Sequence, residues 1–345
     1  MSAAIVGQGW AAPAPVAQRQ LWDEFFAEHY GHSPVARLIW ERSCVATRHG
    51  VVDPRIEDAS AWGTDARMRR FAQEAPSLGK DALTSALAAA EIGPGDIGQL
   101  TVVSCTGYAT PGLDIVLARD LGMSADVQRL HIGHMGCYAA LPGLAQVADA
   151  AGRRGKPAAL LCVELTSLHI QAPTDDTEQA VAHALFSDAA AAAVVSPAGA
   201  GLEVVDVMAR TDHSAADLMS WDITDHGFRM GLSSRIPGVL AAQVTGAVTD
   251  LLRAHGLSIR DVAAWAIHPG GPRIVDLVGQ RLGLEESLLE DSRAVLRDHG
   301  NCSSATILRI VQRIAERQSL DRGSPVVALA FGPGLTLYGA LLRQA

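Results

Sequence analysis

The chain has 345 residues, 48% of them hydrophobic, and a formal net charge of −9 at pH 7. That length supports one large core or two fused halves, and an acidic chain without blocks of Lys and Arg is not expected to bind nucleic acid, which needs clustered cations to neutralise phosphate. No segment approaches the ~18 uninterrupted apolar residues that cross a bilayer, and the first ten residues lack a basic start followed by an apolar core, so no membrane span and a cytoplasmic location are expected. The five cysteines, Cys44, Cys105, Cys137, Cys162 and Cys302, are dispersed and form no C-x-x-C pair. Each is read as a free thiol, with neither a disulfide framework nor a metal site.

The first ~75 residues read as irregular, with Leu21, Trp22, Phe25 and Phe26 marking one amphipathic helix. A rhythm follows. Residues 78–90 form an alanine-rich helical run stopped by Gly93-Pro94-Gly95, and 100–104 and 128–132 read as short strands. Helix and strand alternate, which points to α/β layering.

The order then recurs. Residues 237–255 carry apolar positions at helical spacing (Leu240, Val244, Val248, Leu251, Leu252) and stop at Gly256 before a buried-type strand over 262–267. Asp96-Ile97 and Asp261-Val262 open the matching strands. At nearly equal distances beyond these aspartates stand Cys137 and Asn301, each preceded by glycine and each opening an apolar helical run, 138–147 and 304–315. Two halves of like topology packed about a pseudo-twofold axis would bring those helix starts together. This is the layout of a five-layered αβαβα, thiolase-like fold, with an N-terminal half over 1–200 carrying the cysteine and a C-terminal half over 201–345 carrying the histidine and asparagine.

Cys137 lies in His131-Ile-Gly-His-Met-Gly-Cys-Tyr-Ala-Ala. A thiol in the first helical turn faces unpaired N–H groups and the positive end of the dipole, which favours thiolate at neutral pH. A buried apolar filler is the alternative, and Gly136, Ala139 and Ala140 weigh against it. His268, in Trp265-Ala-Ile-His-Pro-Gly-Gly-Pro-Arg, ends a strand where the chain turns sharply, at the carboxyl edge of a sheet where α/β proteins place their sites. Asn301, in Asp298-His-Gly-Asn-Cys-Ser-Ser-Ala-Thr, reads either as a helix cap or as an uncharged donor to a developing oxyanion. Asp175-Asp176 and Glu285-Glu286 read as surface carboxylates.

In this order and spacing the three runs resemble the Cys-His-Asn triad of type III polyketide synthases, the chalcone synthase family, and more particularly its bacterial branch. Ala184-Leu-Phe-Ser-Asp resembles the segment holding the family's gatekeeper phenylalanine, here Phe186. Ala330-Phe-Gly-Pro-Gly-Leu-Thr resembles its C-terminal loop, with Phe331, Gly332 and Pro333 shaping the pocket. The resemblance implies that Cys137 takes a starter acyl group from CoA while His268 and Asn301 hold malonyl-CoA as it decarboxylates, with no cofactor beyond these substrates. It also implies a homodimer.

By the same resemblance, Cys105, Thr166, His169, Met230 and Ser303 line the substrate pocket, and Arg42 and Arg37, with Arg48 as a further candidate, hold CoA phosphates. The sequence departs from the family at several places. Ser187 replaces a glycine, Met230 a second phenylalanine, Cys105 and His169 threonines, and Thr110 a methionine that reaches the partner subunit. The bacterial-looking pocket and small alanines point to an aliphatic starter and an alkylpyrone or alkylresorcinol product. The rival readings are a single-condensation ketoacyl-carrier-protein synthase and a non-catalytic acyl-binding subunit.

Overall fold

The computed structural model describes residues 3–197 and 199–345; Met1, Ser2 and Ala198, part of the N-terminal half read from sequence, lie outside the described residues. The strand Ala189–Ser196 shows how the layers arise, because it is buried along its whole length. Its Ala189, Ala191, Ala193 and Val195 enter one core while Ala190, Ala192 and Val194 enter another. Side chains alternate along a strand, so a strand buried on both faces must lie between two helical layers. The strands Ala264–Ile267 and Pro325–Gly332 repeat the pattern. Ala264, Ala266, Val326, Ala328 and Ala330 enter the same central core, and Trp265, Ile267, Val327 and Leu329 face outward to a third.

Five layers follow. The helices Thr64–Ala90 and Leu113–Asp120 cover one sheet, the central helices Ala140–Arg154 and Ser304–Arg317 fill the middle, and Ile236–Ala254 and Pro272–Leu282 cover the other sheet. Alanine dominates the strand faces turned to the middle, where two sheets close on one pair of helices. In space the strands run Ala264–Ile267, Pro325–Gly332, Thr336–Gln344, Leu202–Thr211, Ala4–Ala11, Ala189–Ser196, Ala158–Glu164, Gln99–Val103 and Gln128–Ile132. Among the described residues, the two halves of this order meet through the short pairing of Ala4 and Ile5 with Glu203 and Leu202.

Several expectations are corrected. The first 75 residues are not irregular: Ala4–Ala11 is a strand in the middle of the order, and residues 18–29 form a continuous helical stretch that contains a π turn. Gly7 and Gly9 let that strand lie directly on the helix behind it, since a Cβ at either would fall 2.2 Å from the Ala86 carbonyl oxygen or 2.1 Å from that of Ala82. The helix read over 78–90 begins at Thr64 and carries Pro76 inside it. Proline removes one ladder hydrogen bond there, but burial of Phe71, Ala75, Ala82, Leu83 and Ala86 holds the helix together. The two halves are also less alike than the repeat suggested. Asp96 and Asp261 each close a short 3-10 turn just before the strand, but the place of Gln128–Ile132 is taken in the second half by the helix Glu290–His299.

Candidate active site

The turn Gly136–Tyr138 carries Cys137 at the entrance of the helix Ala140–Arg154. Gly136 adopts φ +72°, and a Cβ there would meet Pro333 Cδ at 2.7 Å; one at Gly332 would meet the Tyr138 ring, also at 2.7 Å. The Phe-Gly-Pro-Gly loop therefore braces the Cys137 turn, and the Tyr138 hydroxyl donates to the Pro333 carbonyl at 3.4 Å. His268 follows the strand Ala264–Ile267, its N–H donating to the Leu329 carbonyl at 2.8 Å and its carbonyl accepting from Gly270 at 3.0 Å. Asn301 precedes the helix Ser304–Arg317 and is tied to the Phe186 segment: its N–H donates to Leu185 O at 2.8 Å and its carbonyl accepts from Ser187 N at 2.9 Å.

Cys137, His268 and Asn301 line one cavity of about 690 Å³ together with Phe186, Met230, Phe331 and Arg42. Each presents a usable group. The Asn301 Oδ1 accepts from the Ser303 N–H at 2.9 Å, which leaves the amide NH2 as the donor on the Cys137 side. Ser303, at φ +48°, is held in the left-handed region to complete that turn. His268 is 1% exposed, yet neither ring nitrogen has a hydrogen-bond partner among the described residues. Burial depresses its pKa to about 3, so at neutral pH the ring is an uncharged imidazole with one acceptor and one donor.

Cys137 departs from the sequence expectation. Burial pushes its thiol up to about 12, overriding the Ser303 and Asn301 hydrogen bonds that favour the anion. The resting group is therefore a thiol, because the few unpaired amides of a helix start are worth less than the loss of solvent around sulfur. A neutral imidazole in the same cavity can take that proton when substrate arrives.

The outlying pocket residues sort differently from the resemblance. Phe186 and Met230 border both the main cavity and a second void of about 30 Å³, and Thr166 and His169 face only that small void. Thr166 donates to Asp188 at 3.1 Å. His169 has no free nitrogen: Nε2 donates to the Thr106 carbonyl at 2.7 Å and Nδ1 accepts from the Phe228 N–H at 3.0 Å. Cys105 borders neither void. Its thiol points to the buried Glu164 carboxylate at 3.5 Å and lies 3.6 Å from Ser303 Oγ, and burial with the Glu164 charge raises its pKa well above the usual thiol value. Of the C-terminal loop only Phe331 reaches the cavity, since Gly332 and Pro333 are spent on bracing Cys137. Ser187, standing for glycine, is seated by accepting from His49 N at 2.8 Å and donating to His49 O at 3.1 Å.

Among the basic candidates, Arg42 stands at the cavity. Arg37 is exposed and pairs with Glu41 at 2.9 Å. Arg48 is buried and its two terminal nitrogens donate to the carbonyls of His183 and Phe186, so it supports the Phe186 segment from behind. Sequence reasoning missed Arg273, which lines the cavity from the first turn of Pro272–Leu282. Its only signal is its place after His-Pro-Gly-Gly-Pro, a run that reads as a turn.

The chalcone and stilbene synthase N-terminal domain model matches residues 3–199 and the C-terminal domain model matches 208–345. The chain belongs to the chalcone and stilbene synthase family. It is a type III polyketide synthase, a CoA-dependent condensing enzyme and so a transferase. A 1,3,6,8-tetrahydroxynaphthalene synthase of Streptomyces peucetius subsp. caesius is 38% identical over 274 residues, covering 77% of this chain and 72% of the relative. The alpha-pyrone synthesis polyketide synthase-like protein of Mycobacterium tuberculosis is 32% identical over 320 residues, 88% of this chain and 80% of that one. Among solved structures, 1,3,6,8-tetrahydroxynaphthalene synthase from Streptomyces coelicolor superposes with a TM-score of 0.93 at 26% identity, covering 99% of both chains.

Proposed function

We propose that this synthase loads an acyl group from acyl-CoA onto Cys137 and extends it with malonyl-CoA through His268 and Asn301. The Cys137 proton passes to the neutral imidazole, the sulfur attacks the thioester carbon, and CoA leaves carrying that proton. Malonyl-CoA then loses carbon dioxide. The electron pair of the broken bond becomes an enolate, whose oxygen is held by the His268 N–H and the Asn301 amide while its carbon attacks the Cys137 thioester and expels the sulfur. Decarboxylation supplies the nucleophile, so the scheme calls for no cofactor beyond the two thioesters. Arg42 and Arg273 are placed to hold CoA phosphates at the cavity, as Arg–phosphate pairs are strong and directional.

The observation that carries this reading is the convergence of a buried thiol, an imidazole with both nitrogens unpartnered and an amide whose oxygen is already tied. Intact-mass analysis after treatment with hexanoyl-CoA tests it. An acyl adduct is expected on the wild type and none on Cys137→Ala; an adduct persisting on the variant moves the nucleophile elsewhere. Multiple extensions without a carrier protein separate this scheme from a single-condensation synthase.

The homodimer belongs to this proposal too. The strand Gln128–Ile132 leaves one edge unpaired and leads directly into the Cys137 turn, with Leu130, Tyr108 and Ile115 exposed beside it. An edge of this kind invites a second strand, and a second copy is the proposed occupant. Thr110, exposed near this edge, is too short to repeat the methionine contact expected of the family. No helix among the described residues is long and apolar enough to cross a membrane, and the proposed compartment is the cytoplasm, where acyl-CoA is made.

A further inference from the structure

The chain reaches Asn301 from His299 through a single glycine, and Gly300 stands at φ +73°. A Cβ there would lie 3.0 Å from both the Leu185 carbonyl oxygen and the Ser187 Cβ, so the position is kept to glycine and its backbone can swivel. On the far side of the swivel, Asn301 is held by its bonds to Leu185 and Ser187. On the near side stands His299, the last residue of the helix Glu290–His299, and its ring ties this helix end across to His49. His299 Nδ1 lies 3.2 Å from His49 Nε2, the two rings stack with centroids 5.4 Å apart and planes at 30°, and Trp10 packs on His299 at 5.1 Å.

The direction of that bond follows from its surroundings. His49 Nδ1 lies 2.7 Å from the Pro13 carbonyl, which can only accept, so in the uncharged ring Nδ1 carries the proton and Nε2 accepts. His299 Nδ1–H is then the donor. Burial lowers the His299 pKa to about 4, with the neighbouring His49 and Arg309 adding to the effect, so that ring is uncharged at neutral pH. His49 also grips the other side of the site with its backbone: its N–H donates to Ser187 Oγ at 2.8 Å, and its carbonyl accepts from Ser187 Oγ at 3.1 Å and from Asp188 N at 2.9 Å. One residue is therefore fastened to both segments that frame Asn301, to 187–188 through its main chain and to His299 through its ring. An amide that donates to a developing oxyanion must be held to within about 0.5 Å, and a free glycine swivel beside it works against that.

We propose that His299 is a positioning residue: through its bond to His49 it holds the Gly300 swivel and so aims the Asn301 amide for decarboxylation. This rests on the reading of Asn301 as the enolate donor. Two rates are measured, conversion of malonyl-CoA to acetyl-CoA without starter, and Cys137 loading from hexanoyl-CoA followed by intact mass. His299→Leu is expected to slow decarboxylation about tenfold or more and to leave loading within about threefold of wild type. His299→Asn, whose side-chain NH2 takes the place of Nδ1–H, should stay within about threefold in both rates. His49→Leu removes the same bond from its other end and must give the same split, which decides the matter if His299→Leu does not fold. Adding His299→Leu to Asn301→Ala should cost less than about threefold further, because the amide it aims is gone. Decarboxylation within threefold of wild type in His299→Leu, an equal fall in both rates, or a further tenfold loss on the Asn301→Ala background overturns the positioning role while leaving the donor reading intact. If Asn301→Ala itself decarboxylates malonyl-CoA at the wild-type rate, the donor reading fails and the positioning role fails with it.

Discussion

Asn301→Asp separates the two roles that a buried asparagine before a helix can have. The Asn301 oxygen accepts from the Ser303 N–H at 2.9 Å and the residue is 1% exposed. Aspartate keeps that acceptor and caps a turn as well as asparagine does. What it loses is the NH2 donor that faces the cavity. If that donor stabilises the enolate, its loss costs about 3–4 kcal/mol, or roughly a hundred- to thousandfold in rate. A carboxylate in this dry site also adds a negative charge beside a developing one. The assay is conversion of malonyl-CoA to acetyl-CoA without starter, followed by chromatography at pH 8. Burial raises a carboxyl pKa, so part of the Asn301→Asp variant becomes the acid form on acidification and can donate again; its rate relative to wild type should rise from pH 8 to 6. A rate within threefold of wild type at pH 8 refutes the donor role and leaves Asn301 as a turn residue.

Gly136→Ala should lower stability by about 2–5 kcal/mol, the sum of a left-handed penalty and overpacking against Pro333, and should slow acyl loading; a urea midpoint equal to wild type contradicts the bracing role. Arg273→Glu should raise KM for hexanoyl-CoA about tenfold or more while leaving KM for its N-acetylcysteamine thioester, which has no phosphates, unchanged; equal effects on both remove Arg273 from the CoA site. Acid stability follows from the buried imidazoles. His268 and His169 titrate near 3 in the folded chain against 6.5 in the unfolded one, so the unfolded chain binds protons first and stability present above pH 6.5 drains away as pH falls toward 3. Each contributes a loss of about 2 kcal/mol by pH 5; Glu164 and Asp188, both raised by burial, act in the opposite sense, and urea midpoints at pH 7.5 and 5 measure the net fall.

The sequence by itself determined the three segments that meet at one cavity and the doubled α/β order, because those signals are local. A glycine before Cys137 and Asn301, a Pro-Gly-Gly turn after His268, and alternating or helical apolar spacing are readable within a dozen residues. The strand Ala4–Ala11 is not readable in this way. It lacks strict alternation, and its two glycines make sense only against the backbone of the helix behind it. The tertiary structure alone decided what the site residues are able to do. Helix position argues for a thiolate at Cys137, but its ionisation is governed by burial, which depends on segments far away in the chain. His169 and Cys105 look like pocket residues in sequence, yet Thr106, Phe228 and Glu164 hold them; Arg48 looks like a phosphate ligand, yet its partners are buried carbonyls. The place of Arg273 at the cavity is hard to read in sequence for the same reason. Desolvation and long-range hydrogen bonds join residues that local spacing does not connect.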